Sequence, residues 1–246
     1  MGLLISIGKY IVFIRRIFSK PEKHKIYFRQ IFREIDKLGV SSIGIVAIIS
    51  FFIGMVVIIH MTSSIGNPLI PVYYFSYTTR DVLVLEFSSS VLCLILAGKV
   101  GSNISSEIGT MRVTEQIDAL ETMGINSASY LVQPKIIAMM ITTPILVILS
   151  IFIGLIGGWF VAIAGHLMTS ADYIHGIRFK YDSFKVFYTL MKSVVFAFLI
   201  TSISAYFGYY TKGGALEVGR SSTLAVVYSM IMILISNYLI TQIMYG

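Results

Sequence analysis

The chain has 246 residues, a formal net charge of +7 and a mean hydropathy of +0.84. Apolar residues make up 56% of it and charged residues only 13%, which excludes an ordinary soluble globular domain and indicates a membrane protein. Nine of the 19 lysines and arginines precede residue 40, so the positive charge is a flank attracted to anionic lipid rather than a folded nucleic-acid-binding surface.

The first 19 residues have the pattern of an amphipathic helix. One helical face carries five apolar residues: Leu3, Ile7, Ile11, Ile14 and Phe18. Lys9 interrupts the apolar run and no small-residue cleavage site follows it, so the segment is not read as a signal peptide. We expect an interfacial helix in the membrane plane, followed by a basic connector that ends near residue 39.

Five apolar blocks are long enough to cross a membrane. They cover residues 40–59, 82–97, 136–164, 186–210 and 223–244. Within the third block, Gly154 and Gly158 form a small-residue pair of the kind that lets two helices approach closely. The predicted fold class is therefore an all-α membrane protein with five transmembrane helices. We expect one domain, with residues 1–39 at the interface and 40–246 as the transmembrane core.

The segment 98–135, between spans two and three, is unusually polar for this chain. It holds four of the chain's 12 acidic residues, and its apolar residues fall at helical spacing. Gly109 lies within the first apolar stripe and Gly124 ends the second, so we expect two short helices with a bend at Gly109. Side chains that could cap these helices are Ser105, Ser106 and Thr114.

Residues of this polar segment also carry a family resemblance. The runs Ala-Gly-Lys-Val-Gly (97–101), Glu-Ile-Gly-Thr-Met-Arg-Val-Thr-Glu-Gln-Ile-Asp-Ala-Leu (107–120) and Met-Gly-Ile (123–125) resemble the MlaE family. Tyr-Leu-Val-x-Pro-Lys (130–135) and a weaker match at 213–220 extend the resemblance. The chain departs from the family's usual pattern at Ser127, where proline is common, and at Lys135, where arginine is common.

Members of this family are permease subunits of ABC transporters, which implies a function for the chain. It would move phospholipid between the inner and outer bacterial membranes and so maintain the lipid asymmetry of the outer membrane. The implied partners are a second copy of the chain, a cytoplasmic ABC ATPase and a periplasmic MCE-domain lipid-binding protein. The polar segment would then be a cytoplasmic coupling helix whose ATPase-coupling residues are Glu107, Ile108, Gly109, Thr110, Met111, Arg112, Glu115 and Asp118.

Catalytic machinery is missing from the sequence. No phosphate-binding loop is present, so we expect ATP and magnesium to be bound by the separate ATPase, and we predict no cofactor, catalytic residue or metal site in this chain. The single cysteine, Cys93, excludes an intrachain disulfide. Glu86 lies inside span two and is a candidate intramembrane polar site. The plainer interpretation pairs it with Arg80 or Lys192 near the outer headgroups.

Charge distribution predicts the orientation. If residues 1–39 are cytoplasmic, about fourteen basic residues lie inside and five outside, as the positive-inside rule requires. The N-terminus is then cytoplasmic and the C-terminus lies on the opposite side. The family resemblance implies that this side is the periplasm and that the chain is a multi-pass protein of the bacterial inner membrane. A stand-alone secondary lipid transporter or scramblase, which needs no ATPase, remains the alternative, and a purely structural scaffold is the third.

Overall fold

The computed structural model describes residues 2–19, 24–64 and 71–245, and every regular element among them is helical. In chain order the α-helices are α1 (Gly2–Ile17), α2 (His24–Glu34), α3 (Ile43–Ser64), α4 (Tyr73–Val82), α5 (Leu92–Leu96), α6 (Ser102–Val113), α7 (Gln116–Thr122), α8 (Ser127–Ala164), α9 (Ser170–Arg178), α10 (Ser183–Tyr209) and α11 (Ala215–Tyr245). Short π-helical or 3₁₀ stretches join neighbouring helices at Ile35–Gly39, Val40–Ser42, Leu83–Val91 and Ala97–Gly101.

Five helical stretches are long and apolar enough to cross a membrane, which confirms the predicted all-α, five-span fold. They are Tyr27–Ser63, Tyr73–Val113, Ser127–Ala164, Ser183–Tyr209 and Ala215–Met244. The first two extend well beyond their apolar blocks. Residues 27–39 are helical rather than a loose connector, and buried Ile31 and Leu38 give this part an apolar face.

The N-terminal helix α1 has two apolar faces rather than one. Phe13 and Ile17 are fully buried, whereas Ile11 and Phe18, on the stripe predicted to face lipid, are 61% and 52% exposed. The side chains of Leu3 and Ile7 lie outside the described residues. One face of α1 therefore packs on protein and another is free for lipid, while its position in the membrane plane stays a prediction.

The chain forms two compact units, each built from separate parts of the sequence. The first contains Met1–Ser41, Leu94–Thr142 and Val194–Gly246. In it α6 packs against α10 and α11: a carbon added at Gly208 would lie 2.7 Å from the carbonyl oxygen of Ser105. This unit holds the whole of the polar segment between Gly98 and Lys135.

The second unit contains Ser42–Cys93 and Thr143–Ser193. Here α3 and α8 touch through their backbones, since a carbon added at Gly54 would lie 1.8 Å from the carbonyl oxygen of Gly154. A carbon at Gly158 would meet the Tyr173 hydroxyl at 2.7 Å. The predicted close approach at the Gly154 and Gly158 pair is confirmed. The interpretation of residues 1–246 as one domain stays a prediction.

Candidate functional site

The first half of the polar segment does not bend at Gly109. Helix α6 runs on from the second span without a break, and Gly109 is buried in its interior. A carbon added there would lie 3.2 Å from a methyl group of Val218 on α11, so the small residue serves close helix packing. Ile104 and Ile108 are fully buried on the same helix. The predicted bend was wrong because packing by α11 was not visible in the local pattern.

The bend lies at Thr114 and Glu115. Glu115 has φ of 60°, in the left-handed region that non-glycine residues rarely adopt, and it sits at the start of α7. The Thr114 hydroxyl donates back to the carbonyl of Thr110 at 2.8 Å and caps nothing. Ser105 and Ser106 lie within α6, so none of the three predicted caps begins a helix.

Helix α7 is short but well fixed at its end. Ile117 is fully buried and anchors it. Gly124, with φ of 79°, donates to the carbonyl of Glu121 at 3.0 Å, and Ile125 donates to that of Leu120 at 3.0 Å. These two bonds form a Schellman motif, in agreement with the predicted end of the second helix at Gly124. The remaining large apolar side chain of the turn, Met123, is 73% exposed.

Glu107 belongs to an internal ion cluster. Its two carboxylate oxygens lie 2.8 Å from the ammonium groups of Lys37 and Lys135. Lys135 also lies 2.8 Å from Glu34 and its side chain is 4% exposed. Two carboxylates and two ammonium groups therefore alternate along the cluster. Each charge has an opposite charge beside it, which offsets the free-energy cost of removing these groups from water. Glu107, predicted as a partner-facing charge, has intrachain partners that the sequence did not indicate.

The exposed side of the segment surrounds the bend. Arg112 and Asp118 pair across it at 2.6 Å, with side chains 35% and 51% exposed. Thr110 and Glu115 are exposed, and Met111 is half-buried. The predicted set of eight residues thus divides in two. Around the bend lie Thr110, Met111, Arg112, Glu115 and Asp118, while the protein-facing members are Glu107, Ile108 and Gly109.

Glu121, outside the predicted set, joins α7 to α1 and α10. Its Oε1 atom lies 2.8 Å from the guanidinium of Arg16 and 2.8 Å from the hydroxyls of Ser127 and Tyr209. Burial alone would raise the pKa of this carboxyl, but the Tyr209 and Ser127 hydrogen bonds and the Arg16 charge outweigh it and hold the pKa below its ordinary value. Asn126 donates from its amide to the carbonyl of Arg16 at 3.0 Å.

These contacts join α1 firmly to the α7–α8 turn. Sequence reasoning missed them because the partners lie about a hundred positions apart. The sequence does show that Arg16 and Glu121 are opposite charges in two amphipathic segments. It does not show that these two residues pair with each other.

Glu86, in the second unit, is paired. Its Oε2 atom lies 3.1 Å from Nζ of Lys192, whose side chain is fully buried. Ser90 donates to its Oε1 atom at 3.0 Å, and the Lys192 ammonium lies 4.9 Å from the centre of the Tyr188 ring. Of the two predicted partners, Lys192 is the one in contact. Arg80 instead binds Asp81 and the carbonyls of Ile177 and Phe179.

In the part of the chain that the structure describes, no group of three or more His, Cys, Asp or Glu residues is arranged to hold a metal ion.

Comparison with known proteins places this architecture in a family. The profile of the family described as "Permease MlaE" matches residues 31–243. A "Probable ABC transporter permease protein" of Rickettsia bellii is 38% identical over 98% of this chain and 92% of its own length. A probable ABC transporter permease protein of Synechocystis is 35% identical over 94% of this chain and 87% of its own length.

A more distant relative has a more specific name. The "Intermembrane phospholipid transport system permease protein MlaE" of Haemophilus influenzae is 28% identical over 94% of this chain and 88% of its own length. The family match covers three of the five candidate membrane helices completely, nearly all of the first and last, and the whole polar segment. The chain therefore belongs to the MlaE permease family.

Proposed function

We propose that this chain is the permease subunit of an ABC transporter that moves phospholipid between the inner and outer membranes and so maintains outer-membrane lipid asymmetry. The observation that carries the proposal is the bend at Thr114 and Glu115. It forms an exposed polar surface, backed by buried Ile108 and Ile117, at the end of a helix continuous with a membrane span. The choice of phospholipid as the substrate, and of transport between two membranes as the route, is supported by the name of the Haemophilus influenzae relative.

A displacement of the bend would be transmitted through rigid contacts. Helix α6 continues the second span, so a push on α7 reaches the membrane without crossing a flexible loop. The Arg112–Asp118 pair joins the two sides of the bend, and the Schellman motif at Gly124 fixes the far end of α7. A rigid element of this kind can transmit closure of an ATPase to the spans.

Within the coupling set, we assign direct ATPase contact to Thr110, Met111, Arg112, Glu115 and Asp118. We assign support to Glu107, Ile108 and Gly109, which hold α6 in place through the ion cluster and through packing. This division follows exposure, since a side chain must reach the partner in order to bind it.

The complete transporter would contain other chains. We propose a homodimer of this protein, an ABC ATPase that binds ATP and magnesium on the cytoplasmic side, and a periplasmic MCE-domain protein that exchanges lipid with it. The chain would lie in the bacterial inner membrane with a cytoplasmic N-terminus and a periplasmic C-terminus. A reporter inserted after residue 118 should then be cytoplasmic, and one inserted after residue 175 should be periplasmic. The reverse result would show that the chain has the opposite orientation in the membrane.

Reconstitution tests the function. Liposomes containing this chain with its ATPase should transfer labelled phospholipid to an acceptor MCE-domain protein when ATP is supplied, and should stop when ATP is replaced by a non-hydrolysable analogue. Transport that needs neither the ATPase nor ATP would contradict the proposal.

That contradicting outcome would favour the alternative, a secondary lipid transporter or scramblase. One observation supports this alternative: the Lys192–Glu86 pair lies in candidate spans, where ionisable groups often mark ion or proton pathways. A scramblase would move lipid in both directions without an energy source. Dependence of lipid movement on a proton gradient would identify a secondary transporter.

A further inference from the structure

We propose that a cavity beside the α6–α7 bend binds an anionic phosphate group, supplied by a phospholipid head group at the surface of the membrane. The cavity has a volume of about 150 Å³ and is lined by Arg16, Arg112, Glu121, Lys212 and the consecutive residues 209–211. It lies entirely within the first unit, where α1, the bend and the loop between α10 and α11 meet.

The charge of the lining favours an anion. Arg16, Arg112 and Lys212 are cations, and Glu121 is the one carboxylate among the residues that line the cavity. That carboxylate is already bound by Arg16 and by two hydroxyls. The lining therefore has a net formal charge of +2, from three cations and one anion, and the Asp118 carboxylate that pairs with Arg112 lowers the net charge around the cavity to +1. An acidic ligand would gain attraction without displacing an existing pair.

Hydrogen-bond donors remain available for that ligand. Arg16 and Arg112 each use one terminal nitrogen for a carboxylate, at 2.8 and 2.6 Å, and a guanidinium carries five N–H groups. Lys212 is exposed, and its ammonium group has no hydrogen bond or ion pair to another described residue. The two guanidinium groups and the ammonium group together can bind several oxygen atoms. A phosphate group offers more such oxygens than a carboxylate does, so it is the better ligand for this lining.

The size of the cavity limits how much of a ligand it can hold. Its volume corresponds to about five water molecules, which is enough for a phosphate group but not for a whole lipid. The remainder of a lipid would stay outside.

Helix α1 provides the reason to expect a lipid. It contributes Arg16 in its last turn and exposes Ile11, Val12 and Phe18, which are each more than half exposed. A helix with such an apolar face lies at the boundary between acyl chains and head groups. Arg16 is then placed at the level of lipid phosphates. Free inorganic phosphate has the same chemistry and is the other source to be tested.

An anion bound here would connect three parts of the first unit. It would contact α1 through Arg16, the bend through Arg112 and the α10–α11 loop through Lys212. The bend would become less mobile when the surrounding leaflet is rich in anionic lipid. Such a site would let membrane composition adjust the segment. It shares Arg112 with the surface assigned to the ATPase, but an anion can bind the isolated chain whether or not an ATPase is present.

The test is saturable binding to the purified full-length chain, measured by native mass spectrometry. The probes are phosphatidylglycerol, phosphatidylcholine and inorganic phosphate. The variant Lys212→Gln removes an exposed cation of the cavity, and Lys9→Gln is the matched control because Lys9 is an exposed lysine of α1 outside the lining. We expect wild type to bind phosphatidylglycerol saturably and Lys212→Gln to weaken it about tenfold, since hydrogen bonds to charged groups are individually strong.

The outcomes separate the sources. Binding of phosphatidylglycerol that inorganic phosphate does not displace supports a head-group site, and displacement by phosphate supports a site that takes either source. Equal loss of binding in Lys9→Gln and Lys212→Gln would overturn the proposal in favour of general surface attraction. It would also be overturned if no probe bound saturably, or if Lys212→Gln reduced capture of a protein partner while anion binding stayed at the wild-type level.

Discussion

Both compact units contain close glycine contacts and ion pairs, but the contact between α3 and α8 differs in kind from the contacts that fix the polar segment. In the second unit, α3 and α8 meet backbone to backbone at Gly54, where an added side chain would collide with the carbonyl of Gly154. In the first unit, the polar segment is fixed by ion pairs such as Lys135 with Glu34 and Glu107. Glycine contacts tolerate no side chain, whereas ion pairs depend on the identity of both partners.

This difference has a functional meaning. A backbone contact at glycine has one arrangement, so the contact between α3 and α8 is closely packed and resists change. Ion pairs and hydrogen bonds can be broken and remade with water or with another protein without a steric clash. The polar segment, which contains the exposed bend, is held by contacts of this second kind.

The largest expected effect comes from filling a glycine contact. Gly54→Leu should prevent correct assembly of α3 against α8, because the added carbon would overlap the Gly154 carbonyl, a backbone atom that no side-chain rotation can move away. The cost should therefore far exceed that of ordinary overpacking, which is about 1–3 kcal/mol. The matched control is Gly44→Leu on the same helix, since nothing lies within 4 Å of that position. The yield of monodisperse protein in detergent measures both. Equal yields would show that α3 and α8 do not touch at Gly54.

The next effect concerns the buried ion cluster. Lys135→Met would leave Glu34 and Glu107 without their shared cation, and removing one partner of a buried pair costs about 3–5 kcal/mol. Lys37→Met, at a side chain that is 41% exposed, should cost less than about 1 kcal/mol. Thermal unfolding in detergent compares the two variants. Similar losses of stability would mean that the cluster is solvated rather than buried.

A smaller effect is expected from Glu121 and depends on pH. Because its pKa is held below the ordinary value, its ion pair and hydrogen bonds stabilise the protein at neutral pH. This stabilisation should be lost as the pH falls through the ordinary glutamate pKa of about 4.3 toward the lower folded pKa. Glu121→Gln should therefore show a smaller loss of thermal stability on acidification than wild type. If Glu121→Gln and wild type lost the same thermal stability on acidification, Glu121 would not contribute to the pH dependence of stability.

The sequence predicted the parts of the fold that depend on local pattern. Five apolar blocks gave five spans, Gly154 and Gly158 indicated close packing by their spacing, and Gly124 marked the end of α7. The bend was misplaced, since Gly109 is small to make room for Val218 on α11 rather than to turn the chain. Contacts of this kind depend on which helices become neighbours.

The candidate site was predicted only in outline for the same reason. The polar segment and its residues were recognisable, but Glu107 looked like a free charge because Lys37 and Lys135 lie far from it in sequence. Arg16 and Glu121 were missed as partners, as were the Tyr209 and Ser127 hydroxyls that bind the same oxygen. The division of the eight predicted residues into those at the bend and those that support it depends on how exposed each side chain is. The exposure of a side chain cannot be read from the sequence alone.

The smallest effect on stability is expected at the bend. Asp118→Asn removes the exposed pair with Arg112 and should lower the free energy of unfolding by less than about 1 kcal/mol. Thermal unfolding beside wild type measures this. A loss as large as that of Lys135→Met would place Asp118 among the structural supports and not on the contact surface.

Capture of the ATPase by Glu115→Lys tests the central claim most directly. Glu115 is exposed at the bend and makes no ion pair in the described structure, so reversing its charge should leave folding intact. The control is Glu217→Lys, at another partly exposed glutamate, which lies in the first turn of α11. We predict that Glu115→Lys co-purifies with clearly less ATPase than wild type while Glu217→Lys retains it. Wild-type capture by Glu115→Lys, at unchanged stability, would contradict the assignment of the bend as the coupling surface.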